Sequence, residues 1–323
     1  MQYALLEQLN DCQYHSGQVL AETLGVTRSA IWKQLRTLQS RYGIELYAVT
    51  GKGYRLSTPI EILNKSCIQN AISSVSAHLR VETFFSIAST NQYLLDELAT
   101  GETKTTIVLA EHQSAGRGRR GRNWVSPFGA NLYLSLLYRF KQPAQGLMGL
   151  SLAIAVAISR AIHETVAVDV QLKWPNDILY QGKKLCGILI ELQTEGFGPA
   201  AAVIGIGLNM RLSEQDKQKI TQPSIALDEV VATPVSRNQL AIAVIKHVLQ
   251  VLHEFETSGL HSILTHWQQL DANLDRPVCV LLGNQQIRGI SRGVDENGAL
   301  LVESKGKIQR YYSGEISLQS EQP

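Results

Sequence analysis

The chain has few cysteines for its 323 residues, only four, and none of them forms a CxxC pair. Cys12, Cys67, Cys186 and Cys279 lie far apart along the sequence. Such spacing is typical neither of a disulfide framework nor of a zinc site. We therefore predict reduced, mostly buried thiols in a protein of a reducing compartment.

Long apolar runs and a signal sequence are also missing. The N-terminus shows no basic stretch followed by an apolar one. The most apolar segment, 146–158, is rich in Ala, Gly and Ser, and Arg160 follows it. This segment is too short to span a bilayer, so it predicts a buried helix. We expect a cytoplasmic protein with no membrane partner.

The chain lacks a large excess of charge of either sign, because 30 Lys and Arg residues nearly balance 28 Asp and Glu residues. The formal net charge of +2 is too small to indicate wholesale binding of nucleic acid. The small excess lies in residues 1–57, which contain six Lys or Arg and four Asp or Glu. The length of 323 residues allows two or three domains.

Residues 1–60 predict a winged helix-turn-helix domain. Ala21, Gly25 and Ile31 have the spacing of a helix-turn-helix, in which the small residue lets two helices approach, glycine permits the turn and isoleucine anchors the third helix. Thr27 is a suitable N-cap for that third helix. Two strand-like runs, 44–49 and 54–56, flank a glycine-rich turn and predict the wing.

The exposed side of the third helix and the tip of the wing carry the candidate DNA contacts. Cations there would meet phosphates, and polar side chains on the helix would meet base edges. The alternative is a small three-helix packing module whose cations are merely solvated. The predicted DNA-binding residues are Arg28, Ser29, Trp32, Lys33, Arg36 and Lys52.

Pro59 suggests a boundary, after which residues 66–270 mix helices and strands. Apolar periodicity predicts helices over 89–98 and 147–162, and an α+β domain on a largely antiparallel sheet. Predicted strands are 81–85, 170–174, 177–180, 185–192 and 201–208. Residues 271–323 predict a C-terminal SH3-like β-barrel from short strands at 277–282, 287–294, 299–303 and 308–312, with turns at Asn284, Asn297-Gly298 and Lys305-Gly306.

Residues 116–122 place four arginines and three glycines within one heptapeptide, GRGRRGR. The planar guanidinium fork suits phosphate or carboxylate oxygens, and glycines let backbone N–H groups approach an anion. We expect this loop to become ordered when a ligand binds. Taken alone, the same loop fits an RNA-binding arginine-rich patch or a flexible basic loop equally well.

The loop continues through residues 123–133 as NWVSPFGANLY, and the combined run resembles the glycine-rich loop of biotin–protein ligases. Further motifs follow the order of that family: STN at 89–91, Gln113, KWPND at 173–177, KLCGIL at 184–189, GIGLN at 205–209 and GEISL at 314–318. With residues 1–60 included, the resemblance covers nearly the whole chain. It is a resemblance to the bifunctional members, which also repress the biotin operon.

The resemblance implies an ATP-dependent biotin–[biotin carboxyl-carrier protein] ligase. Such an enzyme joins the biotin carboxylate to the α-phosphate of ATP with Mg²⁺, forms biotinyl-5′-AMP and releases pyrophosphate. It then transfers biotin to one lysine of a biotin carboxyl carrier protein. The resemblance further implies that biotinyl-5′-AMP acts as corepressor and favours a homodimer on operator DNA.

The resemblance also implies roles for particular residues. Lys184 matches the lysine that bridges carboxylate and phosphate, and Lys184 and Arg119 are the catalytic candidates. Lys183 would point to the opposite face of its strand, and without the motif both would read as exposed strand lysines. The biotin-binding candidates are Ser89, Thr90, Asn91, Gln113, Arg117, Gly118, Arg119 and Lys184.

The adenylate side is implied in the same way. Trp124 matches the aromatic residue that packs on adenine, and Asp177 is a candidate Mg²⁺ ligand. His112, beside Gln113, is interpreted as a packing residue. The ATP- or adenylate-binding candidates are Arg119, Arg120, Arg122, Trp124, Asn176 and Asn209.

Two other functions compete with this one. A lipoate–protein ligase would share the architecture, but such enzymes lack the GRGRRGR loop and no helix-turn-helix is expected in them. A pure transcription factor could use a ligase-like domain only to sense biotin, but an intact Lys184 and an intact arginine loop argue against lost catalysis. Pyrophosphate exchange with different acids, and labelling of a carrier domain, separate the three.

Overall fold

The computed structural model describes residues 1–73, 78–101, 104–194, 199–283 and 285–318. Its N-terminal part is a winged helix-turn-helix, as the sequence predicts. Thr27 caps the third helix by accepting a hydrogen bond from the Ala30 backbone N–H at 3.2 Å, and Gly25 ends the second helix in the left-handed conformation. The elements are α1 Gln2–Leu9, α2 Gly17–Leu24, α3 Arg28–Tyr42, β1 Leu46–Val49 and β2 Gly53–Leu56.

Five aromatic rings join this N-terminal part to the central part. Tyr42, at the end of α3, has its ring centroid 5.2 Å from that of Phe85, 5.3 Å from His112 and 5.5 Å from Phe128. Tyr3 of α1 approaches Phe85 at 5.0 Å. We call these five residues the interdomain aromatic cluster. Contacts of this kind stabilise a fixed placement of the two parts.

The central part is built on a seven-stranded sheet whose strands lie in the order β3-β4-β5-β9-β8-β7-β6. Only the β3–β4 pair is parallel among these neighbours, so the prediction of a largely antiparallel sheet is confirmed. The strands are β3 Arg80–Phe84, β4 Thr106–Ala110, β5 Leu132–Arg139, β6 Gln171–Lys173, β7 Asp177–Tyr180, β8 Lys183–Thr194 and β9 Ala200–Leu208.

Helices cover both faces of this sheet. Alternate residues of β4 show the division, because Ile107 and Leu109 belong to one core and Val108 belongs to another. The first core contains residues of α6 and α8, and the second contains residues of α5. The helices are α4 Lys65–Ser73, α5 Thr90–Ala99, α6 Leu150–Val166, α7 Glu214–Gln218, α8 Arg237–Ser258 and α9 His261–Gln269.

The C-terminal part is a five-stranded antiparallel sheet in the order β13-β12-β11-β10-β14, in keeping with the predicted SH3-like domain. Its buried Val280 and Leu300 belong to the same core as α6 and α9. The turns at Asn297-Gly298 and Lys305-Gly306 are confirmed, whereas Asn284 lies outside the described residues. The strands are β10 Pro277–Leu282, β11 Gln285–Val294, β12 Leu300–Ser304, β13 Lys307–Tyr311 and β14 Glu315–Leu318.

Several elements differ from the prediction. Strands β4 and β5 were not predicted, nor was β14, although its residues belong to the motif GEISL. The helix predicted over 147–162 begins at Leu150, after a short 3-10 turn at Ala144–Leu147. The domain limits 1–60, 66–270 and 271–323 stay predictions. Within the described ranges, the longest apolar helices fall short of what a membrane crossing requires.

Candidate functional site

A cavity of about 460 Å³ opens over one face of the central sheet. Its size is that of a site for a small organic ligand. The walls come from the start of α5, the arginine loop, the KWPND segment, β8, β9 and β14. The predicted ligand residues that line it are Ser89, Thr90, Asn91, Gln113, Arg117, Gly118, Arg119, Arg122, Trp124, Asn176, Asp177, Lys184 and Asn209.

One end of the cavity is lined mainly by uncharged polar side chains, with the Arg117–Glu191 ion pair beside Asn91. Gln113 Oε1 accepts hydrogen bonds from the Thr90 backbone N–H at 2.9 Å and from its hydroxyl at 3.1 Å. Gln113 Nε2 donates to Ser126 Oγ at 3.2 Å. The Ser135 hydroxyl lies 2.6 Å from both Thr90 Oγ1 and Asn91 Oδ1. This network fixes donors and acceptors before any ligand enters, as recognition of a small polar ring requires.

The other end of the cavity is cationic. Lys184 Nζ lies 2.6 Å from Asp177 Oδ1, and the two side chains are 15% and 16% exposed. Arg119 Nη1 donates to Asn176 Oδ1 at 3.0 Å. Burial lowers the pKa of Arg119 and also that of Lys173, a neighbouring cation to which the sequence analysis gave no role. Desolvated cations of this kind are placed to neutralise phosphate and carboxylate oxygens.

Trp124 lies on the floor between these two ends. A Cβ atom on Gly207 would overlap the indole ring, and one on Gly187 would lie 2.9 Å from Trp124 Cζ3. Glycine at both positions therefore leaves the space that the indole occupies. Within the described part of the chain, the buried Trp124 Nε1–H has no hydrogen-bond acceptor. The Lys184 ammonium lies 5.5 Å from the ring centroid.

Two acidic residues to which the sequence analysis gave no role hold the arginine loop over the cavity. Arg117 Nη2 donates to Glu191 Oε2 at 2.9 Å, and Arg122 Nη2 donates to Glu315 Oε2 at 2.7 Å. Arg120 does not line the cavity; it is 41% exposed and has a positive φ of 55°. Ordering of the loop on ligand binding stays a prediction.

Asn209 lines the cavity, but its amide nitrogen faces the backbone. Asn209 Nδ2 donates to the Lys184 carbonyl at 3.4 Å and to the Ile225 carbonyl at 3.3 Å. The adjoining segment 219–224 supplies further lining residues that no motif indicated. Asn209 thus helps to fix the backbone of Lys184.

The six predicted DNA contacts are all exposed on α3 and on the wing. Trp32 is 51% exposed, and the Arg36 guanidinium lies 4.9 Å from its ring centroid. Lys52 lies at the turn between β1 and β2, with its ammonium 5.9 Å from the ring centroid of Tyr14. The positions suit contact with a duplex, and the individual roles stay predictions.

Asp177 and Glu315 are the acidic side chains that line the cavity, and both lie near the Arg119 guanidinium. In the residues that the structure describes, no three His, Cys, Asp or Glu side chains form a group able to hold a metal ion. Any Mg²⁺ here would therefore take most of its ligands from water and from substrate phosphates, as Mg²⁺ commonly does.

Three family models match successive parts of the chain. Residues 2–55 match an HTH domain, residues 84–209 match the biotin/lipoate A/B protein ligase family, and residues 274–319 match the biotin protein ligase C-terminal domain.

Curated relatives and solved structures agree with these models. The chain is 43% identical to the bifunctional ligase/repressor BirA of Escherichia coli over 98% of this chain and 96% of that protein. It is 32% identical to BirA of Bacillus subtilis over 95% of this chain and 94% of that protein. The biotin protein ligase of Aquifex aeolicus, solved in complex with biotin and ATP, superposes with a TM-score of 0.63 at 27% identity, covering 74% of this chain and 98% of that one.

Proposed function

Because this chain belongs to the family of bifunctional biotin–protein ligases and repressors, we propose that its cavity holds biotin and ATP side by side and joins them. One observation carries the assignment of the site. The Gln113–Thr90 network and the Lys184–Asp177 pair occupy opposite ends of the same cavity. The first suits the ureido ring of biotin, and the second suits its carboxylate beside a phosphate.

The first step brings two anions together. A carboxylate oxygen of biotin attacks the α-phosphorus of ATP, a mixed anhydride forms, and pyrophosphate leaves. Lys184 and Arg119 are the preplaced donors that stabilise the charge developing on the phosphoryl oxygens. Mg²⁺, when bound through Asp177 and the phosphates, would neutralise further charge on the leaving pyrophosphate.

The second step uses the mixed anhydride as an acyl donor. The amine of the acceptor lysine attacks the biotinyl carbonyl carbon, and AMP leaves with the electrons of the broken C–O bond. Until the acceptor arrives, the anhydride must be kept from water. Arg117, Arg119 and Arg122 are the residues that we assign to this cover, and Glu191 and Glu315 are their anchors.

A direct test supplies the chain with ATP, Mg²⁺, biotin and a biotin carboxyl carrier domain. The mass of the carrier should rise by one biotinyl group, and omission of ATP should abolish the change. A parallel reaction with lipoate separates the two branches of the family. If lipoate supports pyrophosphate exchange as well as biotin does, the assignment of the polar end to the ureido ring is wrong.

The repressor activity uses the exposed side of α3 and the wing. A single winged helix reads only a few base pairs, so specific repression requires two copies on a two-fold site. We assign biotinyl-5′-AMP as the corepressor that favours this homodimer through its differential affinity for the two states. When acceptor protein is abundant it would consume the adenylate, and repression would be relieved.

Sedimentation and operator binding, each with and without biotinyl-5′-AMP, test this coupling. The adenylate should shift the chain towards a dimer and tighten its binding to operator DNA. Equal dimerisation in both conditions would contradict the switch while leaving the ligase proposal intact. A chain beginning at residue 61 should still form the adenylate, which would support the proposed limit of the DNA-binding domain.

A further inference from the structure

Arg237, the first residue of α8, is a buried cation outside the cavity. It is 4% exposed, and its side chain donates to three separate segments of the chain. No motif of the sequence includes it, and it does not line the cavity. A guanidinium group so placed must be fully paired, because an unpaired buried charge is strongly destabilising.

One side of the guanidinium group faces Glu111 and the chain that leaves the winged helix. Arg237 Nη1 donates to Glu111 Oε2 at 2.6 Å and to the Glu61 carbonyl at 2.7 Å. The second oxygen of the Glu111 carboxylate, which is fully buried, accepts from the Leu63 backbone N–H at 2.6 Å. The pair thus fixes residues 61–63 against the end of β4.

The other side of the group faces Asn131, where the segment after the arginine loop enters β5. Arg237 Nε and Nη2 donate to the Asn131 carbonyl at 3.2 and 2.9 Å. Asn131 Oδ1 in turn accepts from the backbone N–H groups of Met210 and Arg211 at 2.8 and 3.0 Å. Through Asn131, Arg237 therefore also fixes the backbone of the segment that follows β9.

Each of these two contacts leads to one end of the cavity. Glu111 stands two residues before Gln113, and its carbonyl accepts from the Gly129 N–H at 2.9 Å, which holds the segment that carries Ser126. Met210 follows Asn209, whose side chain supports the Lys184 carbonyl. A single guanidinium group therefore fixes the backbone behind both the polar end and the cationic end.

We propose that Arg237 is a positioning residue of the ligase site, which sets the distance between the polar network around Gln113 and the ammonium of Lys184. The proposal rests on the ligase activity of the chain, so the wild type must first show biotin-dependent pyrophosphate exchange in the same assay. Adenylate formation requires the carboxylate and the α-phosphorus to meet in a narrow geometry, and a displacement of about 1 Å can cost on the order of 10²-fold in rate.

Arg237→Lys tests the proposal while keeping a positive charge beside Glu111. An ammonium group cannot reach Glu111, the Glu61 carbonyl and the Asn131 carbonyl together, so the spacing of the two ends should relax. In biotin-dependent pyrophosphate exchange, we expect KM for biotin to rise and kcat to fall, with kcat/KM lowered roughly ten-fold or more. Arg160→Lys is the matched control, since Arg160 pairs with Glu254 of the same α8 at 3.8 Å.

A double variant separates positioning from mere stability. Arg237→Met with Glu111→Gln removes both buried charges, and such replacements are often neutral or stabilising, while the new amide oxygen could still accept from the Leu63 N–H. Because methionine removes the donor to the Glu61 and Asn131 carbonyls, we expect this variant to unfold cooperatively at a lower temperature than the wild type but above that of the assay, and to keep the ten-fold loss in kcat/KM. If either folded variant has a kcat/KM within about two-fold of the wild type, Arg237 only stabilises the fold and the proposal fails.

Discussion

Lys184 and Asp177 form a close ion pair across neighbouring strands, with Nζ 2.6 Å from Oδ1. Asp177 belongs to β7 and Lys184 to β8, so the pair is held by the sheet itself rather than by a mobile loop. In the proposed reaction, an entering phosphate would compete with Asp177 for the same ammonium. The lysine would then need little reorganisation when the ligand binds.

Replacement of this lysine should affect the chemical step most. Lys184→Ala removes a donor from the developing charge on the α-phosphate, and we expect biotin-dependent pyrophosphate exchange to fall on the order of 10²–10³-fold. Lys183→Ala is a closely matched control, because Lys183 is adjacent and exposed and does not line the cavity. Near-normal exchange in the Lys184 variant would exclude it as the catalytic lysine.

Removal of one arginine from the loop should release the intermediate. Arg119→Gly loses the bond to Asn176 and adds backbone freedom, so biotinyl-5′-AMP should dissociate faster and label bystander proteins. The off-rate of the adenylate and the biotin content of an unrelated protein measure this. Lys305→Gly is the control, because it also replaces a cation by glycine, glycine suits its positive φ of 52°, and the exposed Lys305 lies outside the cavity. Equal retention by both variants would contradict the proposed cover.

Cations of the winged helix should matter for DNA and not for catalysis. Lys33→Ala and Lys52→Ala should each weaken binding to duplex DNA, and each lost phosphate contact should reduce the slope of log K against log salt by about 0.9. Lys246→Ala on α8 changes the net charge equally and serves as the control. Carrier biotinylation should be unchanged in all three. If the salt slope of a variant is unaltered, the replaced lysine does not contact a DNA phosphate.

Asp271 should make stability depend on pH. Burial, with the charge of Asp275 adding to it, raises the pKa of Asp271 from 3.8 to about 6. The folded state therefore binds more protons between pH 4 and 6, and the free energy of unfolding falls as pH rises through that window. Asp271→Asn should be the more stable protein at pH 7.5, by at most about 3 kcal/mol, with the difference vanishing near pH 4.

Denaturant unfolding at several pH values measures the effect of Asp271→Asn. Asp96→Asn is the matched control, because Asp96 is exposed and accepts from the neutral Gln92 amide at 2.8 Å, so its replacement should not change the pH dependence. A stability difference that is the same at pH 4 and at pH 7.5 would show that the Asp271 carboxyl is not the titrating group.

The sequence motifs predicted the lining of the cavity well because ligand contacts cluster in short runs. Gln113, Trp124 and Lys184 each lie within such a run, and each lines the cavity. No role was predicted for Glu191, Arg237 or Glu315, although Glu315 belongs to the motif GEISL, because each acts through a partner more than 70 residues away in the chain. No local pattern indicates which acid will face which arginine.

The fold shows a similar division. Capped helices and hairpins, such as α3 and the wing, were predicted because their signals are local. Strand β4 was not, since all five of its residues are buried between two helical layers and the alternation of polar and apolar residues is lost. Helix α8 was also not predicted, although its buried residues from Leu240 to Phe255 have helical spacing, so the sequence alone could have indicated it.

The interdomain aromatic cluster fixes the position of the recognition helix relative to the central domain. With Tyr42 packed on Phe85, His112 and Phe128, the recognition helix has no free swivel about the linker. In the proposed dimer, the distance between the two recognition helices would then be set by the folded domains and not by a flexible linker. Insertion of about five base pairs between half-sites would rotate one of them to the far side of the duplex, beyond reach.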